Sequence, residues 1–280
     1  MVDPPDLPSV RIVCGDARDL PGVAPGSVEL VVTSPPYPMI PQWDQAFRRW
    51  GASSFEEMHG RLSEVWRACR DALVEGGLIA INVGDALRTT DGRFRLWANH
   101  ARVMADCEAL GLRPLPYLLW KKPMNRPNAF LGSGFDPPNA YVTLDCEYIL
   151  LFRKGELRRF PPKDGRRQAS RYTKAERDRW FSQVWSDVRG ARQGPVGRRT
   201  GAFPPELPTR LIRMFSVVGD TVLDPFAGTG TTLWAARALG RSSIGVEIDP
   251  ELCRAMERTL SGSEAREAPR PPPSGARAPP

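Results

Sequence analysis

The sequence predicts an α/β fold, a doubly wound and mostly parallel sheet with helices on both faces. Two observations carry that expectation. Short apolar, β-branched runs alternate along the chain with segments of helical periodicity. Asp16, Ser34, Asp85, Asp224 and Glu247 sit at or just past the ends of those apolar runs, where ligands bind in open parallel sheets.

Taken in order, residues 1–9 are rich in Pro and Asp and are expected to be extended. VRIVC (10–14) and VELVVT (28–33) are β-branched runs and predict strands. Phe55, Met58, Leu62, Val65, Trp66, Cys69 and Leu73 recur at three- and four-residue spacing, which predicts an amphipathic helix over 54–74. Gly76-Gly77 reads as its stop, ahead of a strand at LIAINV (78–83). A helix from about Leu96 to Leu110 and strands at 114–120 and 148–152 follow. The last third alternates again: helix 205–215, strand 221–224, helix 231–239, strand 242–247 and helix 250–260. Residues 261–280 are poor in large apolar side chains and end in APRPPPSGARAPP, a composition that predicts disorder.

Composition narrows the function. A chain of 280 residues can bury a sizeable core. It has no apolar run of membrane-spanning length, and MVDPPDLPSV lacks the basic and apolar regions of a signal peptide. The five cysteines form no Cys-x-x-Cys pair, so neither a disulfide framework nor a metal site is expected, and a reduced, cytoplasmic protein is. The net charge of +7 is unevenly spread: residues 153–199 carry 15 Lys/Arg against 5 Asp/Glu, while the segments on either side carry no excess of cations. A local excess of ten points to a polyanion partner.

Two motifs carry chemistry. Asp224-Pro225-Phe226-Ala227-Gly228-Thr229-Gly230-Thr231-Thr232 lies between a predicted strand and helix, and the next strand ends in Glu247. Glycines in such a turn let backbone approach a ligand, and a carboxylate on the following strand can accept both hydroxyls of a ribose. There is no Gly-Lys-Ser/Thr, position 233 is Leu where a third glycine would stand, and the loop holds no cation. A phosphate-free cofactor bearing an ammonium and a sulfonium, S-adenosyl-L-methionine, suits this loop. Asp224, Pro225, Phe226, Gly228, Gly230, Thr231 and Glu247 are its candidate contacts.

The second motif is Thr33-Ser34-Pro35-Pro36-Tyr37. DPFAGTGTT, the IGVEID that follows it, and TSPPY together resemble the DNA amino-methyltransferases, over roughly residues 10–260. With TSPPY first and the glycine loop last, the order resembles the permuted β class. The resemblance implies a methyltransferase (Rossmann-like) sheet with a catalytic half at 10–152, a small basic target-recognition insertion at 153–200 and a cofactor-binding half at 201–260. It also implies that Asp16 contacts the cofactor adenine, that Phe203 packs beside the cofactor and that Thr33 belongs to the same pocket. Two positions depart from the family pattern: Arg199, Thr200 and Gly201 replace a His-Pro-Ala, and Cys146-Glu147 replaces a His-Glu pair.

Proline lacks an N–H and has a fixed φ, so Pro35-Pro36 is expected to form a stiff loop rich in acceptors. The Pro35 carbonyl and the Ser34 hydroxyl can take the two N–H groups of an exocyclic amine and aim its lone pair at a methyl group, which is positioning and electrostatic catalysis. Such an amine is out of reach in a stacked duplex, so the base must be flipped out, and Tyr37 offers a ring to stack on it. Ser34 at the first position resembles the cytosine-N4 enzymes, with adenine-N6 the alternative and an RNA or protein amine further away. C5 methylation needs a nucleophilic cysteine, usually after proline, and no Pro-Cys occurs. The expected partner is duplex DNA, bound by Lys121, Lys122, Arg126, Arg158, Arg159, Arg166, Arg167 and Arg171. The resemblance also admits a restriction endonuclease partner and a homodimer, neither of which the sequence reads.

Overall fold

The computed structural model describes residues 8–122, 137–139, 141–190 and 203–261. Most of the predicted N-terminal extension, nearly all of the Pro-rich tail, Arg126 and Arg199–Gly201 lie outside the described residues.

The chain runs β1 (Val10–Cys14), β2 (Val28–Thr33), α1 (Asp44–Arg49), α2 (Phe55–Ala72), β3 (Leu73–Val83), β4 (Ala86–Thr90), β5 (Arg93–Trp97), α3 (Asn99–Ala109), β6 (Leu112–Lys121) and β7 (Cys146–Lys154). It continues through α4 (Gly165–Ala169), α5 (Lys174–Trp180), β8 (Val184–Trp185), α6 (Glu206–Phe215), β9 (Thr221–Asp224), α7 (Thr231–Ala238), β10 (Ser242–Glu247) and α8 (Pro250–Leu260). The main sheet has the order β1-β10-β9-β2-β3-β7-β6-β8, and β7 alone runs against its neighbours.

Period-two alternation builds the two faces. Val31, Ile79 and Ile81 join the core beneath α2 and α3, while Leu30, Val32, Leu78 and Ala80 join the one beneath α6 and α7. α2 begins where Ser54 and Glu57 form a reciprocal capping box, and it buries the predicted stripe of Met58, Leu62, Val65, Trp66 and Cys69.

Two local expectations change. Gly76-Gly77 lies inside β3 and does not end α2, which stops at Ala72. Gly76 sits at φ 78°, and a Cβ there would come within 2.7 Å of the backbone of Glu156 and Arg158, so the glycine permits close packing of two chain segments. Residues 86–95, given no element from the sequence, and Leu96, expected to open a helix, form the β4–β5 hairpin, closed by Asp91 and Gly92, both at positive φ.

The described part of the basic segment packs against the main sheet. β7 is antiparallel to β3, with Leu78 opposite Arg153 and Val83 opposite Tyr148, so the chain leaves β7 at the amino ends of the parallel strands. It packs there along 217–220, then returns beside α6 to add β8 to β6 near that strand's carboxyl end.

Candidate active site

The strand order reverses direction between β9 and β2: from β9 the chain crosses to β10, and from β2 to β3, on opposite sides. The carboxyl ends of these two central strands therefore form the crevice of an open α/β sheet. They deliver Thr33 and Asp224 to one place.

Asp224 is 2 % exposed and joins the two motifs. Its Oδ1 accepts from Thr33 Oγ1 at 2.7 Å and from the Phe226 amide at 3.1 Å; its Oδ2 accepts from Thr232 Oγ1 at 2.7 Å. Burial outweighs these three donors and lifts its pKa to about 6. The carboxylate thus fixes the glycine loop against the strand that ends in TSPPY.

The loop that follows turns through Gly228 and Gly230, both at positive φ, into α7. A Cβ on Gly230 would lie 2.9 Å from Trp234 Nε1 and 3.1 Å from Met256 Sδ, so this position has no room for a side chain. Glu247, at the end of β10, accepts from the Gly228 amide through Oε2 and from the Asp249 amide through Oε1, at 2.8 and 2.9 Å. Each carboxylate oxygen offers a second lone pair for a ligand hydroxyl. Asp16 follows β1 and is gripped by Arg18, whose Nη2 donates to Oδ2 at 2.7 Å. Burial pushes the Asp16 carboxyl up, but the Arg18 hydrogen bonds and charge prevail and hold it below the usual range. Arg18 stacks over Trp50 at 5.4 Å, and Trp50 and Trp66 approach Phe226 at 6.1 and 6.4 Å. Phe203 is buried in the core beneath α6 and α7.

On the β2 side the Ser-Pro-Pro-Tyr loop is held by a buried polar network that the sequence reading did not foresee. Tyr37 is 9 % exposed, with its ring against Gly84, and presents little surface for the stacking expected of it. Its hydroxyl donates to Glu147 Oε2 at 3.1 Å, accepts from Asn82 Nδ2 at 2.7 Å, and lies 3.0 Å from Ser34 Oγ. Asn82 Nδ2 also donates to Glu147 Oε2 at 2.7 Å, and Lys122 pairs with the other carboxylate oxygen. Burial, and after it the Glu147 charge, pushes the Tyr37 phenol well above its ordinary value, so it keeps its proton. Beyond the loop Asp85 holds His100 Nδ1 at 2.8 Å, and the imidazole stacks on Tyr148 at 3.9 Å.

Asn82 and Glu147 were legible only in part. Asn82 is a polar residue inside the apolar run LIAINV, and Glu147 is an acid opening a strand. Lys121 ends β6 and pairs with Asp145 at 3.7 Å, and Lys122 after it reaches Glu147 on the side of the Ser-Pro-Pro-Tyr loop. Arg158, Arg159, Arg166, Arg167 and Arg171 do not reach it. Arg158 makes a bidentate pair with fully buried Asp220, just before β9, and Arg166 lies against Gly219. Ser170 Oγ accepts from the Val218 amide, which fixes this stretch at the amino-terminal end of the sheet.

Fold and site together define the class: an α/β transferase in which a glycine loop for a nucleoside-like cofactor meets an acceptor loop at one switch point. The chain belongs to the DNA methylase family N6_N4_Mtase, whose model matches residues 28–258, and is a DNA methyltransferase. It is 52 % identical to the Type II methyltransferase M.MjaI of Methanocaldococcus jannaschii, over 91 % of this chain and 92 % of that protein. It is 42 % identical to the Type II methyltransferase M.MthZI of Methanothermobacter thermautotrophicus, over 85 % of this chain and 73 % of that protein. Among solved structures, a DNA modification methylase of Thermus thermophilus in complex with S-adenosyl-L-methionine matches with TM-score 0.72 and 37 % identity, covering 90 % of this chain and 94 % of that one. The cytosine-N4-specific PvuII DNA methyltransferase shares the fold, with TM-score 0.63 at 20 % identity over 89 % of this chain and 87 % of its own.

Proposed function

We propose that this enzyme transfers a methyl group from S-adenosyl-L-methionine to the N4 amine of a cytosine flipped out of duplex DNA. The observation that carries the reading is the direction of the hydrogen bonds around Ser34. A carboxylate only accepts. Glu147 Oε2 accepts the hydrogen bond of the Tyr37 O–H, so the Tyr37 oxygen accepts from Asn82 and, at 3.0 Å, from Ser34. Ser34 therefore spends its own proton on Tyr37 and turns its lone pairs outward. No donor among the described residues reaches the Pro35 carbonyl. Two acceptors then face the two N–H groups of an amine, whose nitrogen gains a positive charge as it is methylated. Tyr37 serves here to hold Ser34, with stacking secondary.

The cofactor pocket fits the proposed group. Glu247 keeps acceptor capacity for ribose hydroxyls, Phe226 with Trp50 and Trp66 gives an apolar wall, and Gly228 leaves the loop surface bare. Asp16, Thr33, Phe203, Asp224, Pro225, Phe226, Gly228, Gly230, Thr231 and Glu247 would form its surroundings, with Asp224 acting through Thr33 and Thr232. S-adenosyl-L-methionine supplies an electrophilic methyl on a sulfonium; the chain supplies orientation and acceptors. By the same reading the enzyme is cytoplasmic and nucleoid-associated, and Lys121 and Lys122 contact DNA.

The choice of cytosine rests on Ser34, since the family covers both amines. Duplex DNA methylated by the enzyme, digested to nucleosides and resolved by mass, should show the methyl on cytosine. A methyl group on adenine alone would replace this reading with the N6 one.

A further inference from the structure

The β4–β5 hairpin has no role in the fold's main sheet and lies at the end of the molecule where chemistry occurs. It begins directly after Gly84-Asp85, at the carboxyl end of β3. Its base is pinned to the acceptor loop, because Asn99 Nδ2 donates to the carbonyls of both Pro38 and Gly84, at 3.0 and 2.9 Å. Arg88 adds a bidentate pair to Asp44 of α1, at 2.8 and 2.9 Å.

Register sorts its side chains. Arg88 is opposite Arg95 and Thr90 opposite Arg93, so the three arginines share one face; Leu87, Thr89, Phe94 and Leu96 share the other. Phe94 on that second face packs against Tyr141, with ring centroids 5.0 Å apart. Like charges directly opposite across two strands destabilise a hairpin. Here the fold tolerates the Arg88–Arg95 pair by anchoring Arg88 on Asp44 and laying Arg95 over Trp97 at 3.8 Å. Arg93 and Arg95 are exposed and have no acidic partner among the described residues. Cations kept on an exposed two-stranded ribbon against a local rule suit a contact with a polyanion, and a DNA groove admits such a ribbon.

We propose that the β4–β5 hairpin is a duplex-DNA contact, its Arg93 and Arg95 guanidiniums binding the phosphates that flank the flipped base. Guanidinium forks match phosphate oxygens in geometry and in charge. The inference rests on the DNA substrate and on the Ser-Pro-Pro-Tyr end being the catalytic one; it is indifferent to which base receives the methyl.

The test is R93Q/R95Q in the full chain, titrated with duplex DNA by fluorescence anisotropy at several salt concentrations. Two lost phosphate contacts should flatten the slope of log affinity against log salt by about 1.8. Between about 50 and 200 mM salt, wild-type affinity should then fall about tenfold more than the variant's. The KM for DNA should rise with little change in kcat, and calorimetry should show unaltered S-adenosyl-L-methionine binding, which also reports an intact fold. R93E/R95E as a second variant should weaken DNA binding further than R93Q/R95Q. Unchanged affinity and slope in both variants would overturn the proposal. Nucleoside analysis on the wild type judges the cytosine reading separately, since methylated adenine would sink that reading and leave the salt slopes standing.

Discussion

The two ends of the sheet gather cations from different kinds of sequence. At the amino-terminal end they come from one sequence run and are partly consumed by the fold: Arg158 pairs with Asp220, while Glu176 of the same run pairs with Arg213 of α6. What remains exposed there, with Lys163, Arg167 and Arg171, lines a cleft of about 690 Å³. At the carboxyl-terminal end the cations come from distant segments, the hairpin arginines from one and Lys121 and Lys122 from another; Arg88, Lys121 and Lys122 pair with Asp44, Asp145 and Glu147, while Arg93 and Arg95 have no acidic partner among the described residues. A charge excess counted along the chain thus locates a surface only after the strand directions are known, because β7 carries the first part of the basic segment, Arg158 to Arg171, to the amino-terminal end, and the chain returns only at β8.

Several variants would break or sharpen this contrast. The largest effect is expected from S34A, which removes an acceptor from the nascent cation and should cut single-turnover methyl transfer about 100-fold or more while cofactor binding survives. E147Q should cost somewhat less, and in the S34A background it should cost little more, since Glu147 acts through Ser34; fully additive losses would show that Glu147 works by another route. E247A is expected to weaken S-adenosyl-L-methionine binding by calorimetry, with the rate at saturating cofactor changing less.

Asp224 gives a pH signature. Its folded pKa of about 6 lies above the ordinary 3.8, so its contribution to stability is fully present below pH 3.8 and is lost as pH rises through about 6. Denaturant melts should show the wild type losing up to about 3 kcal/mol relative to D224N across that window; parallel curves would remove Asp224 as the cause. The smallest effect is expected from R167Q/R171Q at the amino-terminal end, which should change the salt slope of DNA binding less than R93Q/R95Q does. An equal or greater change would mean that DNA reaches both ends.

Long elements were legible because burial marks them, as a helical period in α2 and as a run rich in β-branched residues in β2. The hairpin was not: its outward arginines and outward Phe94 and Leu96 leave no buried face to read, and only Asp91-Gly92 signals the turn. At the site, the motif residues Thr33, Ser34, Asp224 and Glu247 were visible because their spacing is tied to strand ends. Asn82 and Glu147 come from strands whose pairing, Asn82 opposite Ile149, is a tertiary fact. Tyr37 was assigned a stacking role from its type, whereas its burial depends on Gly84 and Glu147, 47 and 110 residues away.

The order of strands also sets a timetable. Within the sheet, β1 pairs with β10 alone, and β9 is the wedge between β10 and β2. As the ribosome releases the chain, β1 must wait more than two hundred residues for its neighbour, and Thr33 waits 191 residues for the carboxylate that fixes it. The catalytic pocket is therefore among the last parts of the molecule to exist, and a nascent chain stalled before Thr221 carries its acceptor loop on an open sheet edge with nothing to methylate from.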